Sequence, residues 1–350
     1  MNKIYFITRK IDKIMEGGVA RDSAIEKYLK NKGAEIVEMA DNRSYKNKFL
    51  NLMKNINFFC KKENKIVILY PFIGAPLQGL KVLRKTYLYF LKRASKRNRV
   101  IFDVSDLPLE RAISLEFAVP HFYEEVEKVI FGINAKYIFA SYSMRDYIVK
   151  KYGIKFEDTS VCINGGNPLD SKIEVKEEIK KFIDSNKVNY VYAGTLARGR
   201  RIEQMLKIFE ENKNVTLSIL GINGEWINEY IKADNIRYFG AFPENEAQKI
   251  VSMCDAGLMP YDETTLNNSI IYPIKMSFYI TAGITFISTE MNEIVRLNKN
   301  YNIGFTENMN NWSSLIANID KEKVKIENEK VKSVKKEFEW EEILNKNWIF

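Results

Sequence analysis

The sequence predicts an α/β protein made of two doubly wound halves, each a parallel sheet with helices on both faces. Short apolar runs of strand length alternate along the chain with amphipathic stretches of helix length. The alternation starts afresh after the turn-rich segment 164–168. The length of 350 residues also suits two domains.

The first half contains five predicted strands rich in β-branched and aromatic residues. They are 3–8, 35–39, 65–70, 99–104 and 136–140. The helical stretches between them are 19–31, 45–61, 78–96, 113–131 and 144–151. Because parallel strands need long crossover connections, this order predicts successive βαβ units.

The second half repeats the pattern. Its predicted strands are 189–193, 216–220, 236–239, 256–260 and 284–288. Its main predicted helices are 202–211, 244–253, 274–281 and the amphipathic tail 335–350. We therefore predict domains at 1–165 and 166–334. In such sheets ligands bind beyond the carboxyl ends of the strands, and two halves can enclose a cleft.

Composition excludes several classes of protein. Hydrophobic residues make up 46% and charged residues 28%, which is typical of a soluble globular chain. Three cysteines without a CxxC pair and a single histidine, His121, argue against a disulfide framework and a zinc site. We expect His121 to be structural. No signal peptide and no apolar window of membrane-spanning length is visible, so we expect a cytoplasmic protein.

Positive charge is concentrated in the first half. Residues 1–160 carry 30 basic and 18 acidic side chains, whereas the rest of the chain has a net charge of −3. The segment Lys81–Arg99 combines lysines, arginines and aromatic residues at helical spacing. Two interpretations stay open: peripheral contact with an anionic membrane, or a solvated face over an ordinary core stripe. Nucleic acid is not favoured as a partner.

Glycines follow the first strand of each half. Gly17 and Gly18 precede a helix, where they could let the backbone approach a ligand or form a plain tight turn. Neither a GxGxxG nor a GxxxxGK[ST] motif occurs, so a nicotinamide cofactor and a P-loop gain no support. In the second half, Gly194 is followed by Thr195 and three arginines, including Arg198 and Arg201. Guanidinium groups at the start of a helix predict an anion site.

A lysine stands at the wrong end of a predicted helix. Pro273 suits the first helical turn, and Lys275 follows within that turn, where the helix dipole disfavours a cation. A bound anion opposite Lys275 would explain why it is tolerated there. Asn268 and Tyr272 lie in the segment that leads to this helix.

These motifs resemble those of GT-B glycosyltransferases. In that family a strand is followed by Gly-x-Leu and a basic turn, then by "cDvgLmPy" and "P-x-K-x-x-x-Y-x-x-x-G-x-x-x-I". The corresponding positions are Gly194–Leu196 with Arg198, Cys254–Tyr261, Pro273, Lys275, Tyr279, Gly283 and Ile287. Residues 138–144 resemble the strand that closes the N-terminal domain of the family. The residues around Trp340 resemble a helix that crosses back to that domain, which implies the same for 335–350.

The resemblance implies two Rossmann-like domains facing across a cleft. It also implies transfer of a sugar from a nucleotide-diphosphate sugar to a glycan or lipid-linked acceptor, in bacterial surface polysaccharide or glycoconjugate synthesis. Lys275 and Arg198 would neutralise the diphosphate. The implied donor-binding residues are Gly18, Thr195, Arg198, Arg201, Asn268, Tyr272 and Lys275.

One departure from the family bears on mechanism. Many retaining members carry a Glu-x7-Glu pair, whereas the matching positions here are Ile270 and Phe278. The Pro-x-Lys variant instead resembles polysaccharide transferases of the glucuronosyl and galactofuranosyl type. For inverting transfer, the expected general base is Asp106, with Asp103 as the second choice. The sequence has no DxD triplet, and we expect neither a metal nor a cofactor.

Two other functions are compatible with the same fold. A sugar-nucleotide epimerase would need clustered carboxylates and histidines around the sugar, and one histidine speaks against it. A non-catalytic GT-B partner protein would tolerate the loss of Asp106.

Overall fold

The computed structural model describes residues 3–9, 17–40, 44–69, 81–114, 116–117, 122–196 and 200–348. These residues belong to two compact units. The first unit holds the described residues of Gly18–Ile163, the first strand and the chain from Leu344 onwards, and the second holds Asn164–Ile343. The sequence-based domain limits at residues 165 and 334 are not tested by this division and stay predictions.

The first unit is built on a six-stranded parallel sheet with the spatial order β2-β1-β3-β4-β5-β6. Its strands are β1 Ile4–Arg9, β2 Glu35–Met39, β3 Lys65–Leu69, β4 Arg99–Val104, β5 Lys136–Phe139 and β6 Thr159–Val161. Strands β1, β3 and β4 are mostly buried, as expected for a parallel sheet with helices on both faces. The sequence did not predict β6, because three partly exposed residues show no clear periodicity.

Six described helices surround this sheet. They are α1 Gly17–Asn31, α2 Tyr45–Phe59, α3 Lys81–Ala94, α4 Pro108–Ser114, α5 Phe122–Ile130 and α6 Tyr142–Tyr152. The prediction of one helix over 113–131 is wrong, since α4 ends at Ser114 and α5 begins at Phe122. Pro120 stands between them in the sequence, and proline disrupts a helix interior. His121 lies outside the described residues.

The second unit has its own six-stranded parallel sheet, ordered β12-β11-β10-β7-β8-β9. Its strands are β7 Val188–Ala193, β8 Val215–Leu220, β9 Ile236–Gly240, β10 Ala256–Met259, β11 Thr285–Ser288 and β12 Phe305–Thr306. The sequence missed the two-residue edge strand β12. Rings of Tyr190 and Phe209 meet edge to face at 5.2 Å in a core that also contains the fully buried Trp312.

The remaining helices follow in chain order. They are α7 Glu177–Phe182, α8 Ile202–Glu211, α9 Glu244–Val251, α10 Leu266–Ile270, α11 Ile274–Ala282, α12 Asn292–Tyr301, α13 Trp312–Ala317, α14 Lys321–Val334 and α15 Trp340–Asn347. The tail predicted as one helix begins instead with a 3₁₀ turn, Lys335–Phe338. The last residues of α15, from Leu344, belong to the first unit. The predicted α/β architecture of two doubly wound sheets is confirmed.

Three further properties bear on function. No helix among the described residues is both long and apolar enough to span a bilayer. Within the same residues, His, Cys, Asp and Glu side chains form no group of three or more that could hold a metal ion. All three cysteines are free thiols.

Candidate functional site

The second sheet has a topological switch point between β7 and β10. The chain runs from β7 outward to β8 and β9, and later adds β10, β11 and β12 on the opposite side of β7. In sheets of this kind, ligands bind beyond the carboxyl ends of the strands at the switch point. The candidate site is therefore the edge formed by the ends of β7 and β10.

A tyrosine hydroxyl joins the two strands at this edge. The backbone register of β7 with β10 covers only two residue pairs. Beyond these pairs, the Tyr279 hydroxyl accepts a hydrogen bond from the Ala193 N–H at 3.0 Å and donates one to the Leu258 carbonyl at 3.1 Å. The Tyr279 ring fits because Gly257 has no side chain, since a Cβ there would collide with the ring. The two strands thus separate around one side chain of α11.

Lys275, in the first turn of α11, reaches this edge. Its ammonium nitrogen lies 3.8 Å from the ring centroid of Tyr192 at the end of β7. The Tyr261 ring, just after β10, lies 5.5 Å from the same atom. Both distances fall in the range of cation–π attraction. Lys275 is 8% exposed, and among the described residues it makes no hydrogen bond and no ion pair.

The electrostatic environment disfavours the charged form of Lys275. Burial lowers the pKa of the ammonium well below its usual range, and the positive charge of Arg200 lowers it further. No described carboxylate forms an ion pair with it. A buried cation without a negative partner gains stability from an anionic ligand, so this position suits a phosphate or a similar group.

Two glycines allow the backbone to pack closely around Lys275. Gly194 has φ +143°, and a Cβ there would lie 3.0 Å from the Lys275 ammonium nitrogen and collide with the neighbouring methylene. Gly221, which follows β8, has φ +153°, and its Cβ would overlap the Gly194 carbonyl. Side chains rarely adopt these φ values, so glycine is required at both positions.

The turn after β7 brings a second cation to the site. The Tyr192 hydroxyl donates to the Thr195 carbonyl at 3.0 Å, and an Arg200 nitrogen approaches the same carbonyl at 3.5 Å. Burial raises the pKa of the Tyr192 hydroxyl, and the positive charge of nearby Arg200 partly opposes that rise. Arg200 is one of the three arginines that follow Gly194, but it is not among the predicted donor-binding residues. Its position shortly after Gly194, at the end of a strand, is the signal that could have identified it.

Sequence comparisons and structural comparisons differ in outcome. No protein-family model matches the chain, and no curated protein is significantly similar to it. Anabaena Alr3699/HepE, solved in complex with UDP, aligns at a TM-score of 0.66 and 12% identity over 98% of both chains. Sucrose-phosphate synthase from Thermosynechococcus elongatus aligns at a TM-score of 0.67 and 12% identity, covering 99% of this chain and 97% of that one. WaaG, a glycosyltransferase involved in lipopolysaccharide biosynthesis, aligns at 0.65 and 10% identity over 98% of both chains.

The chain has the GT-B fold. At identities of 10–12%, these neighbours define the architecture and not the reaction. The fold expected from the sequence resemblance is thereby confirmed.

Of the predicted donor-binding residues of this GT-B chain, Thr195 and Lys275 share the β7 edge through Tyr192. Arg198 lies outside the described residues, so the predicted convergence of Arg198 with Lys275 stays a prediction. Gly18 lies in the first turn of α1, in the first unit.

Arg201 forms ion pairs with the loop that follows β10, and Asn268 forms a hydrogen bond with it. One Arg201 nitrogen lies 3.0 Å from an Asp262 carboxylate oxygen and the other 3.2 Å from Glu263. Asn268 donates from its amide nitrogen to the Asp262 backbone carbonyl at 2.8 Å. Hydrogen bonding from Thr264, followed by the Arg201 contacts, lowers the pKa of Asp262. These contacts hold the loop at the site, and two carboxylates already offset the charge of Arg201.

Tyr272 is part of the interior. It is 5% exposed, and its hydroxyl shares a hydrogen bond of 2.8 Å with the Ser277 hydroxyl. Ser277 in turn donates to the Asn164 carbonyl at 2.6 Å. Burial raises the pKa of Tyr272. This geometry anchors the segment before α11, and a role in donor binding stays a prediction.

The two candidate bases of the first unit have different environments. Asp103, on β4, is fully buried, and both of its oxygens accept hydrogen bonds from Arg21, at 3.0 and 2.6 Å. Asp106 lies in the loop after β4 with its side chain 27% exposed. Its oxygens accept from the Leu107 N–H at 2.9 Å and from Arg111 at 3.0 Å. Only Asp106 is open to solvent, so it is the better placed of the two to meet a substrate hydroxyl.

Proposed function

We propose that the chain is a glycosyltransferase that moves a sugar from a nucleoside-diphosphate sugar to a glycan or lipid-linked acceptor. The observation that carries the proposal is the buried, unpaired ammonium of Lys275 at the switch point. A diphosphate supplies the negative charge that this position lacks. Structural neighbours solved with UDP and with UDP-glucose support the choice of ligand class.

In the proposed reaction, the acceptor hydroxyl attacks the anomeric carbon of the donor sugar. The bond from that carbon to the diphosphate oxygen breaks, and the nucleoside diphosphate leaves with both bonding electrons. Lys275 and Arg200 offset the charge that develops on the diphosphate, and Arg198 is predicted to assist. The hydroxyl attacks the face opposite the leaving diphosphate in one displacement, which inverts the anomeric carbon, and Asp106 accepts its proton. No metal or cofactor takes part in this scheme.

The biological setting is part of the proposal. WaaG, which shares the fold, is involved in lipopolysaccharide biosynthesis. A role in bacterial surface polysaccharide or glycoconjugate synthesis, with transfer of a hexose, agrees with that neighbour. Contact of the Lys81–Arg99 segment with an anionic membrane would bring the cytoplasmic enzyme to a lipid-linked acceptor at the inner face of the plasma membrane.

Calorimetric titration tests the donor site. The full chain is titrated with UDP, GDP, dTDP and CMP, and at least one should bind. At 100 times its dissociation constant, that ligand should raise the free energy of unfolding by about 2.7 kcal/mol. Lys275→Met should weaken binding about 100-fold, because a desolvated charge contact is lost. Lys207→Met, which changes an exposed lysine of the same unit, is the control and should bind normally. Failure of every nucleotide to bind would remove the donor assignment.

A second experiment tests the base. Asp106→Asn should abolish sugar transfer and keep nucleotide binding, since the amide cannot accept the proton. Release of nucleoside diphosphate should depend on an added acceptor, which separates transfer from epimerisation of the donor. Full transfer by Asp106→Asn would exclude this residue from the mechanism, and Asp103 would then be tested in the same way.

A further inference from the structure

Helix α2 presents an apolar face to solvent. Tyr45, Phe49, Leu50 and Met53 are between 49% and 72% exposed. Tyr45, Phe49 and Met53 recur every four residues and Leu50 adjoins Phe49, so the four share one side of the helix. Most large apolar side chains of a folded domain are buried, and a contiguous exposed set marks an interaction surface.

Two polar residues of α2 face the interior, whereas its exposed side also carries Lys46 and Lys54. Asn51 and Asn55 are buried. The Asn51 side chain accepts a hydrogen bond from the Ala40 N–H at 3.0 Å and donates one to the Ala40 carbonyl at 2.8 Å. Asn51 thus ties the inward face of α2 to the end of β2, and folding of the first unit does not explain the outward apolar residues.

The neighbouring helix α3 carries unbalanced positive charge. Its exposed cations Lys81, Lys85, Lys92 and Arg93 make no ion pair within the described part of the chain. Neither α2 nor α3 contains an acidic residue. Between Asp41 and Asp103 the sequence has 15 basic residues and a single acidic one.

The two helices lie side by side. The connections from β2 to β3 and from β3 to β4 cross the sheet in the same direction. Right-handed crossovers therefore put α2 and α3 on the same face of the sheet. The rings of Phe59 on α2 and Tyr87 on α3 meet edge to face at 5.4 Å. We call the outward sides of these two helices the α2–α3 surface.

We propose that the α2–α3 surface docks on a bilayer that contains anionic lipid. The apolar side chains of α2 enter the boundary between headgroups and acyl chains, and the cations of α3 lie against lipid phosphates. A nucleic acid would satisfy the cations but offers no apolar phase for Leu50 and Met53. The inference deepens the acceptor side of the proposed function, and it does not depend on the donor site.

Vesicle co-sedimentation of the full chain tests the proposal. The chain should bind phosphatidylcholine vesicles that contain phosphatidylglycerol, bind pure phosphatidylcholine much more weakly, and dissociate as salt is raised. Combined Phe49→Gln and Met53→Gln should weaken binding at least about tenfold by removing inserted apolar area. Lys85→Gln and Lys92→Gln should each weaken it roughly fivefold. Ile326→Gln, at an apolar residue 51% exposed on α14, is the control and should bind normally.

The other outcomes overturn the proposal. Absence of binding to the anionic vesicles would do so, as would equal binding by the Phe49/Met53 variant with a native circular dichroism spectrum. A dimer that this variant converts to a monomer would assign the surface to a second copy of the chain. Single-stranded DNA could instead displace the chain from the vesicles while the Phe49/Met53 variant still binds them normally. That result would assign the α2–α3 surface to nucleic acid. UDP titration of the same samples keeps the two proposals separate, because vesicle binding can fail while nucleotide binding persists.

Discussion

Gly194 and Lys275 are in contact although 80 residues separate them in the sequence. The lysine side chain occupies the space where any other residue at 194 would carry its Cβ. The end of β7 and the first turn of α11 are therefore fitted to one another, and the ammonium is held against the Tyr192 ring.

Gly194→Ala should damage the proposed donor site. The new methyl group displaces Lys275 and forces a rare φ, so we expect nucleotide binding to weaken at least about tenfold and stability to fall by about 1–3 kcal/mol. Gly153→Ala is the matched control, because its φ is +67° but no atom lies within 4 Å of the new Cβ. It should lose about 1 kcal/mol in urea unfolding and bind normally. Unchanged affinity in Gly194→Ala would contradict the proposed role of Lys275.

Lys275→Met should stabilise the free protein. An apolar side chain of similar length removes the cost of a buried, unpaired ammonium, so the free energy of unfolding should rise by about 1–3 kcal/mol at neutral pH. The folded pKa of Lys275 lies below its unfolded value, so between the two the unfolded chain binds more protons. Wild-type stability therefore rises with pH through this interval, and the advantage of the variant should shrink. Urea unfolding across a pH series measures both effects, and a destabilised variant at neutral pH would contradict them.

Donor binding should be accompanied by proton uptake. A diphosphate beside Lys275 favours the charged ammonium and raises the pKa that burial and Arg200 lower. Calorimetry at alkaline pH, where the diphosphate is fully ionised, should give a binding enthalpy that varies with the ionisation enthalpy of the buffer. Lys275→Arg, which stays charged, should lose this dependence. The same uptake in both proteins would locate the proton elsewhere.

Tyr279→Phe should destabilise the second unit. It leaves the Ala193 N–H and the Leu258 carbonyl without the hydroxyl that bridges them, at a cost of about 1–3 kcal/mol in urea unfolding. Tyr190→Phe is the control in the same sheet, because the buried Tyr190 hydroxyl has no hydrogen-bond partner among the residues that the structure describes. That change should be neutral or stabilising. Equal losses in the two variants would show that the bridge contributes nothing specific.

Arg21→Met should destabilise the first unit by about 3–5 kcal/mol, because it leaves the Asp103 carboxylate buried and unpaired. Arg111→Met removes the same kind of pair from Asp106 at an exposed position and should cost less than about 1 kcal/mol. Chemical unfolding of both variants measures the difference. Similar values would mean that the Asp103 pair is not a structural element of the interior.

The order of strands and helices could be predicted from the sequence because it depends on local properties. Apolar runs of strand length, helical periodicity and the placement of Pro273 and Gly194 each involve a few neighbouring residues. Lys275 lies in the first turn of a helix, as the sequence predicts. Strands β6 and β12 are too short to show a period, and the break between α4 and α5 also differs from the single helix that the sequence predicts.

The sequence by itself thus determined two doubly wound sheets. It also determined that Lys275 lies in the first turn of a helix, where the helix dipole disfavours a cation. Only the tertiary structure decided that Tyr192 lies under that lysine, that Asp262 and Glu263 offset Arg201, and that Arg21 binds Asp103. Each of these contacts joins residues far apart in the chain. Their distances follow from strand order and helix packing, which local patterns do not encode.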